Sequence, residues 1–179
     1  MNTDPQILST ETLYKGRIFD VLLAEIREGD ARYSREIVTH HGSAVIVPVF
    51  DDNTVALVRQ YRHPAGKYLL EIPAGSLNEG EDPMEGAARE LEEEIGVTAA
   101  KIVKLTEFYV SPGFLTEKMH VFLATGLTET AQNLDGDEIL TIHRYTFDQL
   151  STMIQTGEIQ DAKTIIGITM SANKVDARM

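Results

Sequence analysis

Four of the six residues in Arg89-Glu90-Leu91-Glu92-Glu93-Glu94 are glutamates. On a helix, positions three and four apart share a face, so Glu90, Glu93 and Glu94 fall in one stripe. Carboxylates so placed repel one another, and a divalent cation removes the repulsion. Oxygen-only ligands suit Mg2+ or Mn2+ rather than zinc. Arg89 lies four residues before Glu93 and can hold that carboxylate in place. Taken alone, such a run is usually a solvated helix face; the residues around it argue for more.

The elements that must position this stripe are legible. Asp82-Pro83-Met84-Glu85 is a helix-start signal, with Asp82 as N-cap, Pro83 in the first turn and Glu85 placed to close a capping box. Gly96 is the residue expected just past a helix C-terminus. The pattern predicts a helix over roughly 83–95, fed by a loop over 75–81. Upstream, 1–12 reads as a polar lead-in, and strand-like runs at 16–28 and 31–40 flank Gly29-Asp30 as an N-terminal β-hairpin. Further strands are expected at 43–50, 54–61, 68–72, 101–110, 118–125 and 139–145, and helices at 147–155 and 162–171. The class is mixed α+β, with an N-terminal region over 1–41 and the main domain over 42–179.

Composition narrows the partners. The chain has 179 residues, 42% of them hydrophobic, which suits one core with a small appendage. No apolar stretch is long enough to span a membrane, and no signal-peptide pattern precedes Asp4-Pro5. The absence of cysteine rules out disulfides and thiolate metal sites and favours the cytoplasm. A net charge of −12 argues against a nucleic-acid backbone as partner. An anionic small substrate remains possible because a bound cation dominates the local field of an acidic cluster.

Residues 75–97 carry a longer pattern. Gly75, Glu81, Arg89, Glu90, Leu91, Glu93, Glu94, Gly96 and Val97 fit G-x5-E-x7-R-E-U-x-E-E-x-G-U, with U aliphatic, at every position. This resembles the Nudix box of hydrolases that act on nucleoside diphosphates linked to another group. The resemblance implies an αβα sandwich with the metal helix beside a mixed sheet. It makes Glu90 and Glu94 metal ligands, with Glu93 binding directly or through water and the Ala74 carbonyl as a further ligand. Glu81 then supports the loop or binds an additional metal.

Pro112 follows the last box position by fifteen residues, in Ser111-Pro112-Gly113. Together with Arg59-Gln60-Tyr61-Arg62, Leu70-Glu71-Ile72-Pro73-Ala74-Gly75 and Asp135-Gly136-Asp137-Glu138-Ile139, it is similar to the ADP-ribose pyrophosphatase subgroup. That resemblance places the catalytic base on the acidic loop. Glu138 fits best, and Asp135 and Asp137 stay open. Arg62 is the candidate for gripping the diphosphate, since a guanidinium holds phosphate oxygens in a bidentate way. Arg59 is a second candidate, and Glu71 either takes sugar hydroxyls or is a strand-end carboxylate. The subgroup's N-terminal hairpin crosses to a partner subunit, which implies a homodimer and makes Phe19 and Tyr33 candidates to sandwich a purine ring.

The reading is therefore Mg2+-dependent hydrolysis of ADP-ribose to AMP and ribose 5-phosphate. One rival keeps the chemistry but takes a nucleoside diphosphate sugar such as GDP-mannose. Another is a catalytically silent module that senses a nucleotide, against which the complete box counts. The five histidines form no recognisable site, and neither a Walker A sequence nor G-x-S-x-G is present.

Overall fold

The computed structural model describes residues 4–134, 136 and 138–176. The chain divides into two compact units, Met1–Gly42 with Phe108–Lys118, and Ser43–Glu107 with Met119–Met179.

In the first unit, β1 (Gln6–Lys15), β2 (Asp20–Glu28) and β3 (Ala31–Thr39) form an antiparallel sheet in that order. The hairpin at Gly29-Asp30 is present: Glu28 pairs with Ala31, and Gly29 takes φ 59°. The lead-in expected over 1–12 needs correction. β1 is a full edge strand, paired with β2 from Gln6–Arg27 to Lys15–Asp20. All ten of its residues are exposed, so burial imposes no alternation of apolar and polar residues that would announce a strand. The segment over 108–118 joins this unit through Val38, whose N–H donates to Phe114 O at 2.7 Å and whose carbonyl accepts from Thr116 N at 2.9 Å.

The second unit is built from β4 (Ser43–Pro48), β5 (Thr54–Arg62), β6 (Lys67–Glu71), β7 (Ala74–Ser76), α1 (Pro83–Glu90), all but the adjoining ends of β8 (Val97–Tyr109) and β9 (Lys118–Glu129), β10 (Leu140–Thr146), α2 (Phe147–Gln155) and α3 (Ala162–Asp176). One sheet runs β7-β4-β9-β8 and a second runs β10-β5-β6. The first is mixed, because β4 is antiparallel to β7 and parallel to β9.

Strand alternation explains the layering. Ala44, Ile46, Phe122 and Ala124 share a buried cluster with Ala87 of α1 and Leu91 just beyond it. The opposite face meets α3, where Gly167 lies so close that an added Cβ would approach Ile72 to 2.6 Å and Val47 to 3.0 Å. β4 is thus covered on both faces and all six of its residues are buried, which is why it reads as a near-continuous apolar run. Helix, sheet and helix make the expected αβα sandwich. Among the described residues no helix is long and apolar enough to cross a membrane.

Several boundaries differ from expectation: β2 begins at Asp20 rather than 16, β7 enters the loop expected over 75–81, β9 runs to Glu129 rather than 125, and α3 runs to Asp176 rather than 171. The strand expected from 101 begins at Val97. The helix expected over 83–95 is α-helical only to Glu90 and continues as a π turn over Leu91–Ile95. Such widened turns concentrate at functional sites, and this one carries two of the three clustered glutamates.

Candidate active site

The glutamate helix is fixed at both ends. Asp82 accepts hydrogen bonds from Met84 N at 2.8 Å and Glu85 N at 3.4 Å, and Pro83 occupies the first turn. Gly96 ends the π turn at φ 69°. The carbonyls left open there are taken by the chain after β9. Glu93 O accepts from Asn133 N at 3.1 Å, Glu94 O from the Gln132 side chain at 2.6 Å, and Gly96 O from Thr130 N at 2.7 Å. The segment that leads to Glu138 is therefore tied to the end of the glutamate helix. Nothing in the local pattern of Gln132 or Asn133 signalled that role.

Arg89 is the hub of the loop–helix junction. Its Nε donates to Glu81 at 2.9 Å, and its Nη1 donates to Glu90 at 2.6 Å and Glu93 at 2.8 Å. The Glu93 contact follows from the four-residue spacing, whereas the Glu81 and Glu90 contacts do not. Glu81 also accepts from Asn78 N at 2.8 Å, closing the loop on itself. Hydrogen bonds from Arg89 hold the Glu81 carboxyl below its ordinary range. Of the two roles open for Glu81, this geometry describes loop support.

Glu90 and Glu94 are buried. Gly75 backs directly onto the Glu90 carboxylate, and a methyl group at position 75 would overlap it. Glu94 accepts from Ala74 N at 3.3 Å. Burial, then the charges of Glu90 and Glu138, push the Glu94 carboxyl up to about 8. Burial also raises Glu90, with Arg89 opposing and Glu93 and Glu138 adding to the rise. Glu138 thus lies within electrostatic reach of both buried carboxylates. Asp135 and Asp137 lie outside the described residues.

A second ionic cluster adjoins the first. Glu71 has a side chain only 2% exposed and takes Arg62 in a fork, Nε at 2.7 Å and Nη2 at 2.8 Å. Lys163 donates to the same carboxylate and, at 3.0 Å, to Asp161. Burial works against the charged form of Glu71, but Arg62 and Lys163 outweigh it and bring the carboxyl down to about 2. Arg62 also feels the Glu94 carboxylate, so the two clusters share one electrostatic neighbourhood. Sequence reasoning missed Lys163 and Asp161, because an Asp-x-Lys at a helix start does not reveal which distant carboxylate the lysine meets.

The remaining candidates have other surroundings. Side chains alternate along a strand, so Arg59 and Arg62 emerge on opposite faces of β5. Arg59 instead lies 3.9 Å over the Tyr68 ring. Phe19 and Tyr33 belong to the N-terminal unit. Phe19 precedes Asp20 at one end of β2, whereas Tyr33 pairs with Ile26 near the other. Seven strand residues separate those positions, about 23 Å, so within one chain the two rings do not sandwich a base. Tyr33 donates to Glu28 at 2.8 Å, and Phe19 lies 5.9 Å from Tyr14. Pro112 is exposed in the turn where Phe114 N and Leu115 N donate to Ser111 O.

A family profile described as NUDIX domain matches residues 39–166. The chain belongs to the Nudix family. An ADP-ribose pyrophosphatase of Bacillus subtilis (strain 168) is 38% identical over 168 residues, 92% of this chain and 91% of that protein. A methanol dehydrogenase activator of Bacillus methanolicus is 36% identical over the same length, 92% of this chain and 91% of its own. The crystal structure of an ADP compounds hydrolase superposes with a TM-score of 0.88 at 24% identity, over 99% of this chain and 97% of that one, which supports the fold.

Nudix hydrolases generally depend on a divalent cation, and this donor set fits one. Glu90, Glu93 and Glu94 offer oxygen alone, and Glu94 is a buried carboxylate whose one hydrogen bond among the described residues is a long one from Ala74 N. Among the described residues the acids do not form a closed three-ligand cage. Arg89 holds one oxygen each of Glu90 and Glu93. Glu90 and Glu94 are the residues that would hold the metal, with Glu93 at their edge.

The burial of Glu94 has a measurable signature. Its folded pKa lies above its ordinary value, so its stabilising contribution is complete below the ordinary carboxylate range and is lost as pH rises through about 8. Metal-free protein should therefore lose thermal stability between pH 5 and pH 8. Mg2+, which takes the deprotonated carboxylate, should raise Tm by an increment that grows with pH. Thermal denaturation with EDTA or Mg2+ at pH 5, 6.5 and 8 checks this. An increment independent of pH would show Glu94 already charged.

Proposed function

We propose that this Nudix protein hydrolyses ADP-ribose to AMP and ribose 5-phosphate with Mg2+, or Mn2+ in its place. The observation that carries the reading is the pair of buried carboxylates, Glu90 and Glu94, within the field of Glu138 and beside an arginine already oriented by Glu71. The name of the Bacillus subtilis relative supports ADP-ribose as the substrate. Bound cation supplies charge neutralisation at the diphosphate.

The chain's own residues supply the rest. Glu138 accepts a proton from the attacking water. The water oxygen forms a bond to one of the two phosphorus atoms as the bond from that phosphorus to the bridging oxygen breaks. Arg62 holds non-bridging oxygens through the edge of its guanidinium that Glu71 leaves unengaged. Glu90 and Glu94 would hold the cation with Glu93 assisting, and the carbonyl of Ala74, whose N–H meets Glu94, would add a ligand. Arg89 keeps Glu90 and Glu93 in place.

The N-terminal region over 1–41 serves dimerisation and base binding, and the catalytic domain spans 42–179. Supporting this is β1, a sheet edge that exposes Ile7, Leu8, Leu13 and Tyr14, a surface suited to a second copy of the chain in a homodimer. Phe19 or Tyr33, with Pro112, would then line the base slot across subunits. The enzyme acts in the cytoplasm. Turnover of ADP-ribose, GDP-mannose, UDP-glucose and FAD under one set of conditions tests the substrate. ADP-ribose should give the highest kcat/KM, and a higher value for GDP-mannose would transfer the assignment to nucleoside diphosphate sugars.

A further inference from the structure

The start of α3 grips the strand end that carries Glu71. Asp161 caps the helix, accepting from Thr164 N at 2.9 Å and from the Thr164 hydroxyl at 2.6 Å. That hydroxyl in turn accepts from Ile72 N at 2.9 Å. Lys163, between them, reaches Glu71 and Asp161. Two consecutive side chains of the helix thus hold two consecutive residues of the strand end, Glu71 and Ile72, just before Ala74.

The four charged groups balance, Lys163 and Arg62 against Glu71 and Asp161. Their side-chain exposures run 2% for Glu71, 9% for Lys163, 17% for Asp161 and 38% for Arg62. Three of the four are withdrawn from water, and only Arg62 reaches outward. A buried ion pair is a poor source of stability, since apolar residues of like volume often do as well or better. The lysine also shares the Glu71 oxygen that accepts Arg62 Nη2, so it fixes the angle of the carboxylate that orients the guanidinium. Among the described residues Arg62 donates only to Glu71, through Nε and Nη2.

We propose that Lys163 is a positioning residue for diphosphate binding: by locking Glu71 from behind, it presents the Nη1 edge of Arg62 to the substrate. The inference rests on the reading that Arg62 grips the diphosphate, and it assigns to α3 a part in substrate affinity although Lys163 itself touches no substrate. Lys163 should act on KM and only through Arg62.

Two readouts test this. The first needs no substrate: the Arg62 Nε–H resonance, assigned by its loss in Arg62→Lys, should be resolved and slow to exchange in the wild type and in Lys163→Arg. In Lys163→Met it should merge with the signals of exposed arginines. The second is kinetic. Lys163→Met should raise KM for ADP-ribose about tenfold with kcat within about threefold, and Lys163→Arg should recover most of the loss. In an Arg62→Lys background the Met substitution should change KM less than about twofold. A retained Arg62 resonance in Lys163→Met, or a KM effect that multiplies fully with Arg62→Lys, overturns the proposal. Lys163→Gln carries the same comparison if the Met variant does not fold. Should the wild type leave ADP-ribose intact, the substrate reading falls, and the resonance still decides the role of Lys163.

Discussion

Replacing Glu94 with Gln is expected to reduce Mg2+-dependent hydrolysis by about 10^3-fold or more, the loss that accompanies removal of several kcal/mol of metal-based stabilisation. The fold should survive. Glu94 is buried within the field of Glu90 and Glu138, and burial pushes its carboxyl up to about 8. A neutral amide of the same shape relieves that repulsion, so metal-free Glu94→Gln should be at least as stable as the wild type at pH 8. Its Tm should no longer respond to Mg2+. Kinetics and thermal denaturation on one preparation check both halves. A variant that keeps wild-type turnover removes Glu94 from the metal site, whereas one that fails to fold contradicts the account of its burial.

Glu138→Gln should lower kcat by about 10^2- to 10^4-fold, the range for loss of a general base. It should keep a Mg2+-induced rise in Tm, undiminished or modestly smaller, because Glu90 and Glu94 still hold the cation while one negative charge is lost from their field. This separates it from Glu94→Gln, in which activity and metal response are lost together. Asp135→Asn and Asp137→Asn should stay within about threefold of wild-type kcat if the base is Glu138. A larger loss in either would move the base along the loop.

The parts of the fold written in local chemistry were legible. Asp82-Pro83 starts the glutamate helix and Gly96 ends it, as cap residues do whatever surrounds them. The buried central strand β4 announced itself as an apolar run because α1 and α3 cover both its faces. What escaped depended on partners distant in sequence or on burial that had not happened. β1 has no buried face in this chain to impose a pattern. The π turn at Leu91–Ile95 looks like α-helix in sequence, since both place apolar residues at similar intervals. Lys163 meets Glu71 across 92 residues, a pairing that no local spacing contains.

Arg59 shows the opposite case. Its separation from Arg62 follows from the two-residue period of a strand, because an interval of three sends the side chains to opposite faces. Within one chain the two aromatic candidates are separated by an equally elementary rule. Phe19 lies just before β2 and Tyr33 on β3, and the hairpin register sets them toward opposite ends of the sheet.

The central claim is that this carboxylate cluster, loaded with Mg2+, cuts the diphosphate of ADP-ribose. Incubating the purified chain with ADP-ribose and Mg2+ and quantifying products by 31P NMR tests it most directly. The account predicts AMP and ribose 5-phosphate in equal amounts, with turnover abolished by EDTA and restored by excess Mg2+. Intact ADP-ribose under those conditions, or equal cleavage with and without the metal, would contradict it.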